Sequence, residues 1–178
     1  MSDDEQTAAL AARAATGDAA AFEELLSPVL NPAFRLAMTM LKDRAAAEDA
    51  VQEAAFKAWR NVHRLRAGAP LRPWFLAITA NECRTVRRSR WWQVLRMPEV
   101  GSDRYVDPEE AQAERMDLDV ALDGLPRRQL LPLALYYHLD LPIEEVARIL
   151  GCSPGAAKLR IHRALRALRP VLRVEALS

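Results

Sequence analysis

Apolar residues recur at helical spacing through most of this 178-residue chain, and this periodicity constrains the fold more than any other feature of the sequence. In AAAFEELL (19–26), for example, the large apolar residues lie three or four positions apart, which is the spacing of one helix face. No segment alternates apolar and polar residues as a half-buried strand does, and β-branched residues are sparse. Because 51% of the residues are hydrophobic, the chain can also bury a core. The sequence therefore predicts an all-α fold.

The helical pattern is interrupted at residues 97–112, MPEVGSDRYVDPEEAQ, where Pro, Gly and acidic residues follow no period. This composition is typical of a linker. Helical spacing returns on both sides of the interruption. We therefore predict two small helical domains, residues 1–95 and 112–178, joined by a flexible linker over residues 96–111.

Capping residues and prolines predict where individual helices begin and end. Asp18 and Asp43 each precede a helical segment and can accept hydrogen bonds from its free first-turn amides. Pro28 and Pro32 are expected to break or restart the helix that follows Asp18, because proline has no backbone N–H and clashes with the preceding turn. Pro132 is expected to kink a later helix or to delay its start.

The segment AEDAVQEAAFKAW (47–59) should be helical, yet it does not separate its acidic residues from its aromatic ones. At about 100° per residue, the acids fall on the same arc as Phe56 and Trp59. The opposite arc is mostly alanine, so another helix can pack closely against it. We interpret the mixed arc as a partner site that grades into aromatic residues covered by a neighbouring helix and loop. Its acidic and amide residues are Glu48, Asp49, Gln52 and Glu53.

The formal net charge of +1 conceals a segregation of charge along the chain. Residues 57–98 contain 10 Lys and Arg and a single acid, and residues 126–178 contain nine basic against four acidic residues. Residues 1–56 and 99–125 are acidic. Two separated basic blocks favour a protein with two sites for a polyanion such as nucleic acid.

The C-terminal part of the chain has the pattern of a helix-turn-helix. A short amphipathic helix (143–150) is followed by Gly151, which can take the left-handed conformation that ends a helix. Ser153 is placed as N-cap and Pro154 as the first residue of the next helix, while Ala147 is small enough for two helices to cross closely. The second helix is basic, so it can lie in the major groove of DNA. Its basic residues are Lys158, Arg160, His162, Arg163, Arg166 and Arg169.

The first basic block combines arginines with aromatic and amide residues on a predicted helix (74–92) and on the predicted loop before it (63–73). Bases can stack or enter pockets beside aromatic residues while arginines hold phosphates, so the combination suits single-stranded or opened nucleic acid. The indole body of Trp74 equally fits a core position. The residues concerned are Arg64, Arg66, Arg72, Trp74, Asn81, Arg84, Thr85, Arg87 and Arg88.

Other features argue against a secreted, membrane or metal-dependent protein. The first residues, MSDDEQTAAL, are acidic and lack the basic start of a signal peptide, and no apolar stretch approaches the roughly 20 residues of a membrane span. Cys83 and Cys152 have no zinc-ligand spacing and are expected to be ordinary thiols, with a redox role left open. We therefore expect a cytoplasmic protein with no metal, cofactor, catalytic site or direct membrane insertion.

Four segments, taken in order, resemble the extracytoplasmic-function (ECF) sigma factors of bacterial RNA polymerase. They are GDAAAFEELL (17–26), DRAAAEDAVQEAAFKAW (43–59), PLRPWFLAITANECRTVRR (70–88) and LPIEEVARILGCSPGAAKLRIHRALRAL (141–168). The resemblance covers most of the chain. It implies a region 2 helical bundle and a region 4 helix-turn-helix, in a protein that joins core polymerase, recognises the −10 and −35 promoter elements and promotes DNA opening.

The resemblance also implies partners and residue roles. Core polymerase is implied to bind through its β′ clamp helices to Asp49, Gln52 and Glu53, and through its β flap to the apolar surface of region 4. An anti-sigma factor is a further implied partner. Promoter DNA at the −10 element is implied to contact Arg64, Arg66, Arg72, Trp74, Asn81, Arg84, Thr85, Arg87 and Arg88. Promoter DNA at the −35 element is implied to contact Ser153, Lys158, Leu159, Arg160, His162 and Arg163.

Two other functions fit parts of the sequence. A stand-alone helix-turn-helix transcriptional regulator would use only residues 117–169, and it would leave the acidic arc and the first basic block unexplained. An enzyme acting on nucleic acid would need a catalytic cluster, but the three histidines lack metal spacing and the basic blocks lack an acid cluster. Ala156, Ala157 and Leu159 depart from the usual family residues, which bears on the −35 sequence preferred rather than on DNA binding.

Overall fold

A computed structural model describes the backbone of residues 3–65, 69–94 and 127–175, and side chains within these ranges. Regular structure in the described ranges is helical throughout, without a strand, which confirms the all-α prediction. The chain divides into two compact units, Met1–Arg96 and Met97–Ser178. The predicted linker at residues 96–111 lies outside the described residues. Within the described ranges, no helix combines the length and apolar character that a membrane span requires.

In the part of the first unit that the structure describes there are four α-helices. They are α1 (Asp3–Ala15), α2 (Ala19–Leu41), α3 (Arg44–Asn61), which a short 3-10 turn follows at Val62–Arg64, and α4 (Leu71–Val94). Helices α2, α3 and α4 pack against one another, while α1 contacts α2 and the 3-10 turn. Their shared core is built from large apolar side chains that are almost fully buried, among them Leu25, Leu36, Phe75 and Leu76.

Helix α2 runs without a break through both of its prolines, so the prediction that Pro28 and Pro32 break it is wrong. The buried stripe of α2, including Leu25, Val29 and Leu36, repeats at three- and four-residue intervals along the helix. Pro28 is exposed and Pro32 half-buried. The carbonyls that lose their amide donors belong to Glu24 and Pro28, which are both exposed residues, and burial of the apolar stripe outweighs the local cost of proline.

The predicted N-caps of α2 and α3 are confirmed. Asp18 Oδ1 accepts a hydrogen bond from the amide of Ala21 at 3.0 Å, and Asp43 Oδ1 accepts one from the amide of Ala46 at 2.9 Å. The hydrogen bond from the Ala21 backbone amide lowers the pKa of the Asp18 carboxyl below its usual value, and the hydrogen bond from Arg13 lowers it further. These caps fix the starting residues of the two helices.

The alanine side of α3 is buried as predicted, because Ala47, Ala50, Ala54 and Ala58 are almost fully inaccessible. Small side chains let α2 and α4 approach the α3 backbone closely.

The two aromatic residues of the mixed arc, Phe56 and Trp59, differ in burial. Trp59 is half-buried, and its ring meets that of Phe22 edge-to-face at 5.0 Å.

Phe56 is 55% exposed, so the prediction that a neighbouring helix and loop cover it is wrong. Phe56 comes one turn after the acids on α3, whereas Trp59 lies further round the helix, where α2 supplies a partner ring.

The loop predicted before α4, residues 63–73, extends too far along the chain. Helix α4 begins at Leu71, and Pro73 sits in its first turn, where a missing backbone N–H leaves no helical bond unmade.

The second unit contains α5 (Arg127–Leu133), a π-helical turn (Ala134–His138), α6 (Ile143–Leu150) and α7 (Pro154–Glu175). Pro132 is fully buried in α5. The helix widens immediately after it, so that the amide of Leu139 bonds to the carbonyl of Ala134 at 3.0 Å. The expected disturbance at Pro132 therefore takes the form of a wider turn at the end of α5.

Helices α6 and α7 form the predicted helix-turn-helix. Gly151 ends α6 with φ 61°, and Ser153 Oγ accepts a hydrogen bond from the amide of Ala156 at 3.2 Å. Ala147 is buried, and its carbonyl accepts the amide of Cys152 at 3.0 Å. The turn is thus fixed by backbone groups and one serine side chain, which leaves one face of α7 exposed for another role.

Candidate functional site

The residues predicted to bind polymerase line one cleft between α3 and α4. Asp49, Gln52 and Glu53 are exposed on the α3 side of this cleft, which we call the acidic cleft. Its volume is about 570 Å³, and its remaining lining residues are Ala50, Phe56, Glu82 and Val86. Carboxylates beside exposed apolar surface can bind a basic partner that also supplies apolar contacts.

Phe56 is the residue of the acidic cleft that the sequence reasoning placed wrongly. Its exposed ring lies beside the three predicted residues, and the guanidinium of Arg60 sits 5.9 Å from its centroid. An exposed aromatic ring at the edge of a charged patch is the kind of side chain that anchors protein interfaces. The sequence signal for the exposure of Phe56 was its position on the same helix arc as the acids.

A second cleft, which we call the basic cleft, lies between the end of α3, the 3-10 turn and the first half of α4. It has a volume of about 660 Å³ and brings together three of the residues predicted to contact −10 DNA, Arg64, Trp74 and Asn81. The other lining residues are Lys57, Arg60, Asn61, His63, Ile78 and Glu82. Half-buried Trp74 and polar neighbours give this cleft an aromatic wall and hydrogen-bonding groups, which suits a nucleobase.

The remaining residues predicted for −10 DNA are distributed unevenly. Arg84, Thr85 and Arg88 are exposed on α4. Arg84 Nη1 donates to Asn81 Oδ1 at 2.6 Å, so the amide and guanidinium form one polar group on the helix surface. Arg72 is half-buried in the first turn of α4, outside the lining of the basic cleft, and Arg66 lies outside the described residues.

Arg87 differs from the other arginines of α4. Its side chain is half-buried, and Nη1 donates a hydrogen bond to the carbonyl oxygen of Met40 at 2.9 Å. Met40 lies in the last turn of α2, so no later amide of that helix can bond to its carbonyl. Arg87 therefore joins α4 to the end of α2, a contact that its sequence neighbourhood did not indicate.

A partly buried ion pair lies between the two clefts, because Glu82 is nearly buried whereas the Lys57 side chain is 43% exposed. Lys57 Nζ is 2.6 Å from Glu82 Oε2 and 3.5 Å from Glu53 Oε1. The hydrogen bond with Glu82 raises the pKa of the Lys57 ammonium above its usual value. Glu82 is the single acid of the first basic block, and its side chain is 9% exposed. That isolated acid was a sequence signal that could have identified the pair.

In the second unit, all six residues predicted to contact −35 DNA are exposed along α7 or at its N-cap. Ala157, Ile161 and Ala164 form the buried side of the same helix. The exposed set is Ser153, Lys158, Leu159, Arg160, His162 and Arg163. The helix thus presents a basic face opposite its core contacts, as a helix in the major groove requires.

Two tyrosines extend the exposed side of this unit. The rings of Tyr136 and Tyr137 meet edge-to-face at 4.9 Å and line a groove of about 650 Å³ together with Lys158 and His162. Arg160 also reaches back to the carbonyl of Leu150 at 3.4 Å. Sequence reasoning did not select the tyrosines, because they precede the helix-turn-helix segment.

The described residues contain no group of three or more His, Cys, Asp or Glu placed to hold a metal ion. Cys83 is fully buried, and burial raises the pKa of its thiol to about 12. Cys152 is half-buried in the turn of the helix-turn-helix.

Comparison with known proteins matches both units to one class. The family model for Sigma-70 region 2 matches residues 25–93, and that for Sigma-70 region 4 matches residues 115–168. The first unit carries both clefts and the second the helix-turn-helix, so the two together define a transcription initiation factor of the sigma-70 type.

The individual proteins that resemble this chain are sigma factors as well. RNA polymerase sigma factor SigV of Bacillus subtilis is 31% identical over 146 residues, which cover 82% of this chain and 87% of SigV. ECF RNA polymerase sigma factor SigL of Mycobacterium tuberculosis is 29% identical, covering 89% of this chain and 93% of SigL. The probable sigma factor RfaY of Xanthomonas campestris is 30% identical over 88% of this chain, which spans only 41% of RfaY. The chain belongs to the ECF RNA polymerase sigma factors.

Solved structures support the same assignment. The sigma factor RpoE of Bartonella quintana, crystallised with the anti-sigma factor NepR, has a TM-score of 0.71 and 29% sequence identity, covering 86% of this chain and 97% of RpoE. CnrH, solved with the cytosolic domain of CnrY, also has a TM-score of 0.71 and shares the fold at 23% identity, covering 95% of this chain and 98% of CnrH.

Proposed function

We propose that this sigma factor joins core RNA polymerase, brings it to promoters through the −10 and −35 elements, and promotes DNA opening. The observation that supports this most strongly is the pair of clefts on one α3–α4 scaffold, one acidic and one lined by basic, aromatic and amide residues. A single helix pair can thus serve a protein partner on one cleft and an opened DNA strand on the other. Its site of action would be the cytoplasm, with the polymerase.

The proposed roles follow from the chemistry of each surface. Asp49, Gln52 and Glu53 would bind the β′ clamp helices, with Phe56 as an apolar contact. The basic cleft would receive a base extruded from the −10 element, and the arginines of α4 would hold the non-template strand. Extruding a base costs a few kcal/mol, which contacts in the cleft must offset.

The second unit would read the −35 element with α7. Lys158, Leu159 and His162 would face bases, while Arg160 and Arg163 would contact phosphates. The apolar surface of this unit would rest on the β flap. Neither unit needs high affinity alone, because attachment of both to polymerase raises their effective concentration at the promoter.

An anti-sigma factor is the proposed regulatory partner. The related RpoE was crystallised with NepR, and the structural match to this chain covers 97% of the length of RpoE. By analogy, such a partner would compete with polymerase for this sigma factor. The proposed activity is transcription initiation by the holoenzyme, with the sigma factor acting as a specificity subunit rather than as an enzyme.

A reconstituted transcription assay tests the proposal. Purified protein is combined with sigma-free core polymerase and sheared genomic DNA from its own organism, and RNA 5′ ends are sequenced. We expect start sites preceded by recurrent −10 and −35 sequences that core polymerase alone does not use. The absence of such sites would refute the proposal. Site-specific binding to duplex DNA without polymerase would favour a stand-alone regulator.

A further inference from the structure

Lys57 occupies the middle of a line of polar residues along α3. Asp49, Glu53, Lys57 and Asn61 follow one another at four-residue intervals and so share one face of the helix. The first two line the acidic cleft and Asn61 lines the basic cleft. Asn61 is also tied to Lys57, because its Nδ2 donates to the Lys57 carbonyl at 2.8 Å.

Glu82 of α4 lines both clefts and so forms part of the wall between them. Its carboxylate is nearly buried and is held by Lys57 Nζ at 2.6 Å. The only acid in a basic block of 42 residues would repel a DNA phosphate if it were exposed. Burial and pairing with Lys57 remove that repulsion while keeping a charged link between α3 and α4.

The energetics favour a geometric role for this pair over a stabilising one. Glu82 is nearly buried but the Lys57 side chain is 43% exposed, so water screens the attraction between the two charges and the pair contributes little net stability. Its hydrogen bond does fix the relative position of two side chains. Here those side chains belong to the two helices whose surfaces form both clefts.

We propose that Lys57 and Glu82 are positioning residues that hold α3 against α4, so that the basic cleft keeps the shape needed to receive an extruded base while polymerase occupies the acidic cleft. The inference rests on the proposed function of the two clefts. It assigns the pair no direct contact with the base, and it predicts that loss of the pair affects strand capture more than polymerase binding.

The test uses holoenzyme and a fluorescent oligonucleotide that carries the non-template −10 strand of a promoter recovered in the transcription assay. Three variants are compared, Glu82→Gln, Lys57→Met and Lys57→Arg. Glu82→Gln preserves shape and leaves Lys57 beside Glu53, so it is the variant expected to fold normally. Asp18→Asn is the control, because it weakens the ion pair between Arg13 and Asp18, neither of which lines a cleft, and asparagine remains a good N-cap.

We expect Glu82→Gln and Lys57→Met to weaken strand binding by about tenfold, a typical size for mutations that alter coupling between sites. Lys57→Arg should keep most of the wild-type strand affinity. Assembly with core polymerase should fall less than strand binding in every variant, because Glu82 also lines the acidic cleft and Lys57 lies near Glu53. Thermal unfolding of each free variant separates positioning from stability. Strand affinity like that of the wild type in Glu82→Gln, the same loss in Asp18→Asn, or no recovery in Lys57→Arg would overturn the inference.

The two proposals fail in different ways. If wild-type holoenzyme captures no strand from any recovered promoter, the proposed function of the basic cleft is wrong. If the wild type captures the strand and the Lys57 and Glu82 variants capture it equally well, only the positioning role is wrong.

Discussion

Arg87 Nη1, on α4, donates a hydrogen bond to the carbonyl oxygen of Met40, in the last turn of α2, at 2.9 Å. The next residue, Arg88, is exposed. Two adjacent arginines of the same predicted DNA-binding set thus differ in their surroundings. Arg87 connects two helices of the core, whereas Arg88 faces solvent and is free to approach a phosphate.

The two arginines should respond differently to mutation. Arg87→Ala should lower the free energy of unfolding by about 1.5–3 kcal/mol, because it removes a charged donor from a helix-end carbonyl. Arg88→Ala should leave stability unchanged and weaken promoter binding. Urea unfolding of both variants, together with a holoenzyme binding assay, checks the difference. Equal stability of the two variants would show that the Arg87 bond contributes little.

Reversing a charge in the acidic cleft should weaken polymerase binding without unfolding the protein. Asp49→Lys places a cation where the proposed partner is basic, and Asp49 is exposed, so packing is unaffected. Glu24→Lys, an equal charge change at an exposed site on α2, is the control. Affinity for core polymerase is measured by fluorescence anisotropy, and an equal effect of the two mutations would contradict the assignment of the cleft.

Lys158 and Arg163 should have separable roles on α7. Lys158→Ala should relax the choice of −35 sequence, because it removes a proposed base contact. Arg163→Ala should weaken binding to all promoters evenly. It should also reduce the slope of log affinity against log salt concentration by about one, as expected for a lost phosphate contact. Selection from a randomised −35 library, repeated at several salt concentrations, measures both effects. A uniform loss in both variants would disprove base reading by Lys158.

Ser153 combines a structural bond with a proposed DNA contact, and two substitutions separate them. Ser153→Ala removes the acceptor for the Ala156 amide and should cost about 1 kcal/mol of stability. Ser153→Asp keeps a good N-cap acceptor but places a negative charge at the DNA surface, so it should preserve stability and weaken promoter binding. Thermal unfolding and promoter affinity of the two variants are compared. Normal DNA binding by Ser153→Asp would remove Ser153 from the interface.

The two cysteines should differ in reactivity. Because burial raises the pKa of Cys83 to about 12, its thiol stays protonated at pH 8 and shielded from reagents in the folded protein. Cys152 is partly exposed and should react with a thiol reagent such as Ellman's reagent under native conditions. One thiol should therefore react before unfolding and two after it. Rapid native labelling of both would show that the first unit opens locally around Cys83.

Local features of the fold were predictable because they depend on residues close in sequence. Asp18, Asp43 and Ser153 act as N-caps, and Gly151 ends α6, since each interaction spans only a few residues. The prolines of α2 were misjudged for the opposite reason. Whether a proline breaks a helix depends on how much apolar surface the rest of that helix buries, which its neighbours α1, α3 and α4 determine.

By itself, the sequence determined the helical class, the helix-turn-helix, the buried alanine side of α3 and the shared arc of Asp49, Gln52 and Glu53 on that helix. These follow from periodicity, capping and charge along single helices. Only the tertiary structure decided that Arg87 serves the core, that Phe56 stays exposed, and that Lys57 meets Glu82 across 25 positions. Pairings between distant residues depend on how helices are placed against each other, and no local pattern encodes that placement.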